Sequence, residues 1–337
     1  MNQSAILLTG LTGVIGKRVA YRLAERGHTV LCPVRAGSPE QLARRFEQAK
    51  SVLREVTEGY DESVAARIRP FAGDLRRDNF GLTDRESAAI GLPGARAIWH
   101  LAAALDLTET NRDEVFETNV NGTQRLLNFM AAHGIADMHY FSTFAVHGRR
   151  SDGVAREEIL SQRADFRNSY EESKWRTEQM VWAARDAGRI RAAIYRPSIV
   201  VGDSVHGRYE QFNSFNHAFD MASRLRRKLS ERAGIDPAVT PLDFQMRVPG
   251  VPSATLNIVP LDYVVETTMR LYDSGQWEGG IFHITNPNPP RLDEMMEIFQ
   301  MTEPWKGLSW SESVLQGQFA NPYEKFACKQ LGFLTHT

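Results

Sequence analysis

The stretch LLTGLTGVIGKRVAYRLAERG, residues 7–27, predicts a strand, a glycine-rich turn and an amphipathic helix in immediate succession. Three glycines, Gly10, Gly13 and Gly16, fall on the turn with the spacing GxxGxxG. Glycine lets a backbone turn tightly and approach a pyrophosphate, and the start of the following helix supplies free N–H groups and a positive dipole end. Because a strand and a helix flank these glycines, we interpret them as a phosphate-binding loop and not as an ordinary turn.

The first 200 residues continue the same alternation of short apolar runs and helix-like periodicity. Strand-like runs occupy 5–10, 29–34, 95–103, 138–146 and 191–202, and helical spacing occupies 14–25, 113–133 and 170–187. Gly27, Gly134 and Gly188 stand where C-terminal helix caps are expected. This rhythm predicts an α/β fold, a Rossmann-type doubly wound parallel sheet with helices on both faces.

The alternation stops near residue 202 and returns only at 256–285. The intervening segment is rich in Phe, Asn, Arg and Pro, and one helix is predicted in it near 215–232. We therefore expect a nucleotide-binding core with a smaller C-terminal substrate-binding lobe. The core comprises 1–202, with its sheet completed by 256–285, and the lobe comprises 203–255 and 286–337.

Composition excludes several classes of partner. The 40 basic and 41 acidic residues give a formal net charge of −1, which favours neither nucleic acid nor a membrane surface. Cys32 and Cys328 form no CxxC pair and have no histidines at metal-ligand spacing, so neither a disulfide framework nor a metal site is expected. Without a membrane-length apolar run or a basic leader, the prediction is a cytoplasmic protein that acts on a small molecule.

The end of the second strand indicates which dinucleotide the loop would bind. A free ribose 2′-OH usually meets Asp or Glu there, whereas a 2′-phosphate requires a cation. Arg35 occupies this position, and Arg44 and Arg45 follow on the next helix, so NADPH is predicted. In the alternative interpretation Arg35 is a solvated charge and Glu40 binds the ribose of NADH.

The stretch NSYEESKW, residues 168–175, places Tyr170 and Lys174 four residues apart, on one face of a helix. A nearby ammonium group would favour the phenolate and bring the tyrosine closer to acid–base work at neutral pH. The pair could then protonate a carbonyl oxygen as hydride arrives. The alternative is an exposed, salt-bridged helix, and in both interpretations Glu171 and Glu172 lie on its outer, solvent face.

A second element of this candidate site is the strand YFSTFAVHG, residues 140–148, which ends about twenty-five residues earlier. It displays Ser142 and Thr143, and a hydroxyl there could hydrogen-bond a substrate oxygen and stabilise developing charge. Two further stretches follow predicted strands: AGDL with Asp74 and Leu75, and HLAA beginning at His100. Adenine and ribose would pass there, although each stretch by itself could be a plain strand end.

These motifs, together with NVNGT (119–123) and YRPSIVVG (195–202), occur in the order found in extended short-chain dehydrogenases/reductases, which the chain resembles over about residues 5–285. Counting back from Gly148, the resemblance implies that Thr143 is the catalytic hydroxyl residue. It implies that Tyr170 and Lys174 are the acid–base pair and that Asn119 lies on the helix supporting them. The predicted cofactor-binding residues are Gly10, Thr12, Gly13, Val14, Ile15, Gly16, Arg35, Arg45, Asp74, Leu75, His100, Leu101, Ala102, Asn119, Tyr170, Lys174 and Pro197.

Within that superfamily, four stretches resemble the thioester reductases, the male sterility-type branch that includes fatty acyl-CoA reductases and the reductase domains of carboxylic acid reductases and peptide synthetases. They are VRAGSPEQLARRF (34–46), VGDSVHG (201–207), NIVPLDYVV (257–265) and FHITNPNPP (282–290). The resemblance implies that Arg35 and Arg45 bind NADPH and that an acyl-CoA or acyl-carrier-protein thioester is reduced to an aldehyde, with a second reduction to the alcohol left open. Alternatives are a ketone or aldehyde reductase of hydroxysteroid or dihydroflavonol type, and a sugar-nucleotide epimerase or dehydratase.

Two further stretches allow more than one interpretation. The basic run RLRRKLSER (224–232) could attract the phosphates of a pantetheine arm or an acidic carrier protein, but we interpret it as a solvated helix face. The aromatic run YEQFNSFNHAF (209–219) predicts either an acyl or aromatic pocket or packing at the lobe boundary.

Overall fold

The computed structural model describes residues 5–107, 109–150, 153–208, 214–238 and 240–331. Their centre is a seven-stranded sheet in which every neighbouring pair is parallel. In spatial order the strands are β10 (Ile281–Ile284), β6 (Arg191–Pro197), β5 (Asp137–Phe141), β4 (Ala95–His100), β1 (Ala5–Thr9), β2 (Thr29–Val34) and β3 (Ile68–Ala72). The predicted doubly wound α/β class is confirmed.

Some of the helices cover both faces of this sheet, and others form the C-terminal part of the chain. The helices are α1 (Val14–Glu25), α2 (Pro39–Val56), α3 (Glu62–Ala65), α4 (Asp84–Ile90), α5 (Arg112–Phe116), α6 (Gly122–His133), α7 (Ser169–Asp186), α8 (Ser214–Arg232), α9 (Leu261–Asp273), α10 (Leu292–Thr302), α11 (Glu312–Leu315) and α12 (Pro322–Leu331). A π-helical turn, Glu117–Asn121, joins α5 and α6, so the helix predicted at 113–133 is one rod with a local widening.

The apolar strands are buried because helices cover both of their faces. Successive residues of a strand point to opposite faces, so Ile6 and Leu8 join one hydrophobic cluster with α1 and α9, and Leu7 joins the other with α6 and α7. From β1 the chain moves to one side to form β2 and β3, and it then crosses to the other side to form β4. This reversal leaves a crevice at the carboxyl ends of β1 and β4, where ligands of such sheets bind.

The strand predicted at 191–202 is divided in the structure. β6 ends at Pro197, which has no N–H to donate to the sheet, and the following residues form β7 (Ile199–Val201). β7 pairs in parallel with β9 (Ile258–Pro260) in a separate two-stranded sheet. Within 256–285, therefore, β10 joins the large sheet and β9 does not.

A third hydrophobic cluster lies in the C-terminal part of the chain, around the buried Trp305. It includes a parallel pair, β8 (Met246–Pro249) and β11 (Leu308–Ser311), together with α10 and α12. Phe219 packs on Phe299 with ring centroids 5.2 Å apart, whereas the rest of the aromatic run, 209–218, lies outside the described side chains. The basic run is mixed: Arg224 is exposed, but Arg226 is buried against Glu303 at 2.6 Å.

Candidate active site

The glycine loop connects β1 to α1 and requires glycine for steric reasons. Gly10 has φ 89°, a left-handed conformation, and a Cβ there would lie 2.7 Å from the Ala102 nitrogen. A Cβ on Gly16 would collide with the Gly10 carbonyl oxygen, which accepts a hydrogen bond of 2.9 Å from the Gly13 N–H. No side chain caps the first turn of α1, and no acidic residue lies in it, so its N–H groups remain available to an anion.

A cavity of about 610 Å³, here called the loop cavity, lies over these glycines. Its walls come from the carboxyl ends of β1, β2 and β4, as the sheet order requires. Lining residues that were not predicted from the sequence include Thr118, which enters from the π-helical turn, and Leu261, which enters from the start of α9. The predicted residues that line it are Gly10, Thr12, Gly13, Val14, Arg35, Arg45, Asp74, Leu75, Leu101 and Ala102.

Beside it, a cavity of about 600 Å³, the arginine cavity, is lined by Arg35, Arg45, Arg76 and Arg77. Arg76 forms a bidentate ion pair with Asp74, in which Arg76 Nη2 donates to Asp74 Oδ2 at 2.7 Å. The hydrogen bonds from Arg76 hold the pKa of Asp74 below its usual value. Arg76 and Arg77 were not predicted, although the run GDLRRD carries them directly after β3.

The two other charged residues that the sequence offered for the cofactor ribose, Arg44 and Glu40, lie outside both cavities. Arg44 and Glu40 are exposed on α2 and line neither the loop cavity nor the arginine cavity. The Glu40 carboxylate instead interacts with Ser38 at the N-terminus of its own helix, which lowers the pKa of Glu40.

A third cavity of about 380 Å³, the tyrosine cavity, contains the predicted catalytic residues. Thr143 reaches it from the end of β5, and Tyr170 and Lys174 reach it from the first turns of α7. It also contains Ile15, Gly16 and Pro197, and it shares Gly10, Gly13, Val14, Leu101, Ala103, Leu105 and Val200 with the loop cavity. The fold thus brings three distant segments together beside the glycine loop.

Burial dominates the acid–base character of the Tyr170 and Lys174 pair. The Lys174 Nζ donates to the Phe141 carbonyl at 2.7 Å and lies 6.0 Å from the Tyr170 ring centroid. Burial lowers the pKa of Lys174 to about 7. Burial, followed by the Glu171 carboxylate, raises the pKa of Tyr170 well above its usual value. The expected lowering of the tyrosine pKa by the lysine is therefore wrong for the protein alone.

Thr143 presents a hydroxyl beside the tyrosine. It caps the short turn Phe144–His147, where its Oγ1 accepts from the Ala145 N–H at 3.2 Å. That bond uses a lone pair and leaves the hydroxyl hydrogen available to an acceptor in the tyrosine cavity. Ser142, its neighbour, is buried, and its hydroxyl has no hydrogen-bond partner among the described residues.

Glu171 and Glu172 are not on a solvent face, as predicted, but are each 4% exposed. Glu171 lines the tyrosine cavity and accepts from the Arg167 backbone N–H at 2.9 Å and from its Nη1 at 3.2 Å. The prediction was wrong because the loop preceding α7 covers this face of the helix. For Glu172, burial alone would raise the pKa, but hydrogen bonds from Arg112 and Arg176 outweigh it and hold the pKa below its ordinary value.

His100 and Asn119 are the two predicted cofactor-binding residues that line none of these cavities. His100 is buried between the hydroxyls of Thr9 at 2.7 Å and Thr123 at 2.8 Å, and burial lowers its pKa to about 3, so it is neutral. Asn119 binds Ala104 through both the backbone N–H and carbonyl, at 2.7 and 3.0 Å, and donates to Ser173 Oγ at 2.9 Å. Asn119 therefore links the loop after β4 to α7 through hydrogen bonds outside the three cavities.

Neither a metal-ligand cluster nor a membrane-length apolar helix occurs in the part of the chain that the structure describes. It contains no group of three or more His, Cys, Asp and Glu side chains able to hold a metal ion. None of its helices combines the length and apolar character needed to cross a bilayer.

The family of the chain follows from its similarity to known proteins. Residues 8–268 match the family model described as male sterility protein. The chain belongs to the male sterility protein family. The match spans the glycine loop, all three cavities and the first part of α9, and it confirms the family resemblance found in the motifs. Members of this family share a nicotinamide-dinucleotide-binding domain of the extended short-chain dehydrogenase/reductase type.

Relatives of this family member include much longer proteins. A linear gramicidin synthase protein from Brevibacillus parabrevis is 27% identical over 301 residues, which are 88% of this chain and 5% of that protein. Carboxylic acid reductase from Mycobacterium marinum is 26% identical over 305 residues, 84% of this chain and 24% of that protein. The chain thus spans a small part of these relatives.

Among solved structures, the terminal R domain from the myxalamid PKS-NRPS biosynthetic pathway has the same fold. Its TM-score is 0.78 at 23% identity, over 98% of this chain and 79% of that domain.

Proposed function

We propose that this protein is an NADPH-dependent reductase that converts acyl thioesters to aldehydes. The observation that carries the proposal is the convergence of Thr143, Tyr170 and Lys174 on a cavity that shares its glycine-loop wall with a dinucleotide-sized cavity. Membership of the family and the relative named carboxylic acid reductase support reduction of a carboxylic acid derivative.

The residues present fit NADPH. The pyrophosphate suits the glycine loop and the uncapped start of α1. Arg35 and Arg45, assisted by Arg76 and Arg77, offer the charge that a ribose 2′-phosphate requires. When bound, NADPH supplies the hydride.

The side chains of the tyrosine cavity supply the remaining chemistry. Thr143 donates its hydroxyl hydrogen to the thioester carbonyl oxygen and stabilises the charge that develops there. Tyr170, kept protonated at neutral pH by its raised pKa, transfers its phenolic proton to the same oxygen. Lys174, which donates to the Phe141 carbonyl, would hold the nicotinamide ribose of a bound cofactor. The resulting hemithioacetal loses its C–S bond, giving aldehyde and free thiol.

The acyl group would lie along the apolar wall of the tyrosine cavity, formed by Leu105, Leu107, Phe144 and Ile199. We further propose that 203–255 and 286–337 form the substrate-binding lobe. Both segments contribute to the third hydrophobic cluster, which also includes Ile199 at its edge.

The test is NADPH oxidation measured with acyl-CoA and acyl-carrier-protein thioesters of several lengths, aldehydes, ketones and UDP-sugars. Thioester-dependent NADPH oxidation with release of free thiol supports the proposal. Accumulation of aldehyde shows that reduction stops there, whereas NADPH oxidation with added aldehyde shows that reduction continues to the alcohol. Turnover confined to UDP-sugars without net NADPH consumption overturns it in favour of an epimerase, and turnover confined to ketones overturns it in favour of a simple carbonyl reductase.

Removal of the Tyr170 hydroxyl gives a second test. Tyr170→Phe is expected to lower kcat by about 10²- to 10⁴-fold, the usual contribution of a general acid. The dissociation constant for NADPH should stay within about twofold, since the phenol acts on the substrate. Tyr60→Phe, which removes a hydroxyl remote from all three cavities, is the control. Unchanged turnover in Tyr170→Phe removes Tyr170 from this role.

A further inference from the structure

Three arginines converge on one buried carboxylate at the start of α7. Arg112 Nη2 lies 2.8 Å from Glu172 Oε2, Arg176 Nη2 lies 2.8 Å from Oε1, and Arg163 Nη2 lies 3.4 Å from Oε2. The side chain of Glu172 is 5% exposed, whereas those of Arg112, Arg163 and Arg176 are 48%, 60% and 50% exposed. The three, here called the arginine cluster, therefore share the Glu172 carboxylate as a partner inside the protein and keep unused N–H donors toward solvent.

Aromatic rings hold these guanidinium groups in place. Phe116 lies under both Arg112 and Arg176, at 4.6 and 5.1 Å from its ring centroid, and Phe166 lies 5.4 Å from Arg163. Cation–π contacts of this kind restrict long arginine side chains that would otherwise be mobile. The donors are consequently ordered before any ligand arrives.

The cluster carries more positive than negative charge. Within the described residues, its ion-paired carboxylates are Glu172 and, 3.6 Å from Arg112, Glu109. Three guanidinium groups against two carboxylates leave one net positive charge, and like charges gathered at one point repel each other. A phosphate group would relieve this repulsion, and its oxygens match the paired donors of arginine.

The loop after β4 connects the arginine cluster to the tyrosine cavity, although none of the three arginines lines that cavity. Glu109, the partner of Arg112, accepts a hydrogen bond from the backbone N–H of Ser169, the residue before Tyr170. The same loop carries Leu105 and Leu107 to the cavity wall. Arg176 is six residues after Tyr170 on α7, a rise of about 9 Å along the helix. At 3.6 residues per turn, Arg176 also lies roughly 240° around α7 from Tyr170, so a phosphate at the cluster is offset from the reacting carbon and the arm between phosphate and sulfur has to pass around the start of α7.

We propose that Arg112, Arg163 and Arg176 form the docking site for the phosphate carried by the thiol half of the thioester substrate. The inference rests on the proposed thioester reduction. Coenzyme A and the phosphopantetheine arm of a carrier protein share this chemistry, and the cluster recognises the shared phosphate. The basic run 224–232 is the competing surface: Arg226 is buried against Glu303 and Arg224 is paired with Asp220, whereas Arg227 and Lys228 are exposed.

The experiment compares one acyl group on four carriers: pantetheine, which lacks the phosphate, 4′-phosphopantetheine, coenzyme A and a phosphopantetheinylated carrier protein. The wild-type protein is expected to show a kcat/KM for acyl-phosphopantetheine about tenfold above that for acyl-pantetheine, as a charge-assisted contact provides. The ratio should fall toward one in Arg163→Gln and in Arg163→Gln/Arg176→Gln, through KM and with kcat retained. Arg224→Gln, a surface arginine in the basic run, is the matched control and should retain the wild-type ratio.

A wild-type ratio near one, or a ratio that the cluster substitutions leave unchanged, overturns the docking site. Collapse of the ratio in Arg224→Gln alone moves the site to the basic run and equally overturns it. A higher kcat/KM for the carrier protein than for coenzyme A identifies a carrier protein as the source of the phosphate, and the reverse identifies coenzyme A. Failure to reduce any thioester rejects the proposed function instead. Calorimetry with 4′-phosphopantetheine on wild type and Arg163→Gln/Arg176→Gln then decides the docking site without turnover.

Discussion

At the scale of single residues, the surroundings of Tyr170 and Lys174 matter more than their four-residue spacing. Both are buried, and burial disfavours the charged form of each, so the pKa of the phenol rises and that of the ammonium falls to about 7. Tyr170 is therefore protonated at neutral pH and able to donate its phenolic proton. The lysine is poised to change charge near neutral pH, fixed against the Phe141 carbonyl.

A dependence of stability on pH follows from Lys174. Its folded-state pKa of about 7 lies below its ordinary value of 10.5, so between these values the unfolded chain holds a proton that the folded chain does not. The free energy of unfolding should accordingly rise with pH across this window. In urea unfolding between pH 7 and 9, the wild type should gain about 2 kcal/mol relative to Lys174→Met. Parallel profiles for the two proteins would show that Lys174 is not desolvated.

At the scale of elements, α7 is fixed to the sheet by a buried ion pair. Arg196 of β6 and Glu178 of α7 are both fully buried and make a bidentate contact with distances of 2.6 and 2.9 Å. Arg196 also donates to the backbone carbonyls of Arg156 and Glu158, at 3.5 and 3.0 Å. Strand, helix and the loop before the helix therefore meet at one side chain, which holds Tyr170 relative to β5.

We expect Arg196→Met to destabilise the protein by about 3–5 kcal/mol, because it leaves the Glu178 carboxylate buried without a partner. The double variant Arg196→Met/Glu178→Met should recover much of this loss, since no buried charge remains. Arg191→Met is the control: it removes a half-exposed partner of Asp137 and should cost about 0–1 kcal/mol. The measurement is urea unfolding. Equal losses in the single and double variants would contradict an unpaired charge as the cause.

At the scale of the whole molecule, the parallel sheet places the three cavities along one edge. The loop cavity and the arginine cavity share Arg35, Arg45, Gly73 and Asp74, and the tyrosine cavity adjoins them through the glycine loop. An extended dinucleotide can therefore run from the arginines to Tyr170 across the carboxyl ends of the strands. The same edge carries the start of α7 and the arginine cluster.

Cofactor binding should stabilise the whole fold, because ligands that bind only the folded chain shift unfolding by mass action. At 100 times its dissociation constant, NADPH should add about 2.7 kcal/mol and raise Tm by several degrees. NADH at the same concentration should raise Tm less. In Arg35→Ala/Arg45→Ala the larger Tm shift with NADPH than with NADH should disappear. Arg44→Ala is the control, because Arg44 lies on α2 beside Arg45 but lines neither cavity. An equal or larger shift with NADH rejects the preference for NADPH.

The parts of this protein that the sequence alone determined are those set by local rules. The glycine loop, the alternation of strands and helices, the ends of α1 and α7, and the shared face of Tyr170 and Lys174 depend on turn sterics and on periods of two and 3.6 residues. Each can be read within a window of about twenty residues, and motif order supplied the family.

Tertiary structure decided whatever depends on segments far apart in sequence. The burial of Glu171 and Glu172, the division of the last strand at Pro197, and the pKa values of Tyr170 and Lys174 follow from which other segments cover them. The arginine cluster is the clearest case, because Arg112 and Arg163 reach Glu172 from outside its own helix. Desolvation and ion pairing act through space, so a pattern along the chain indicates where charges occur but not which of them meet.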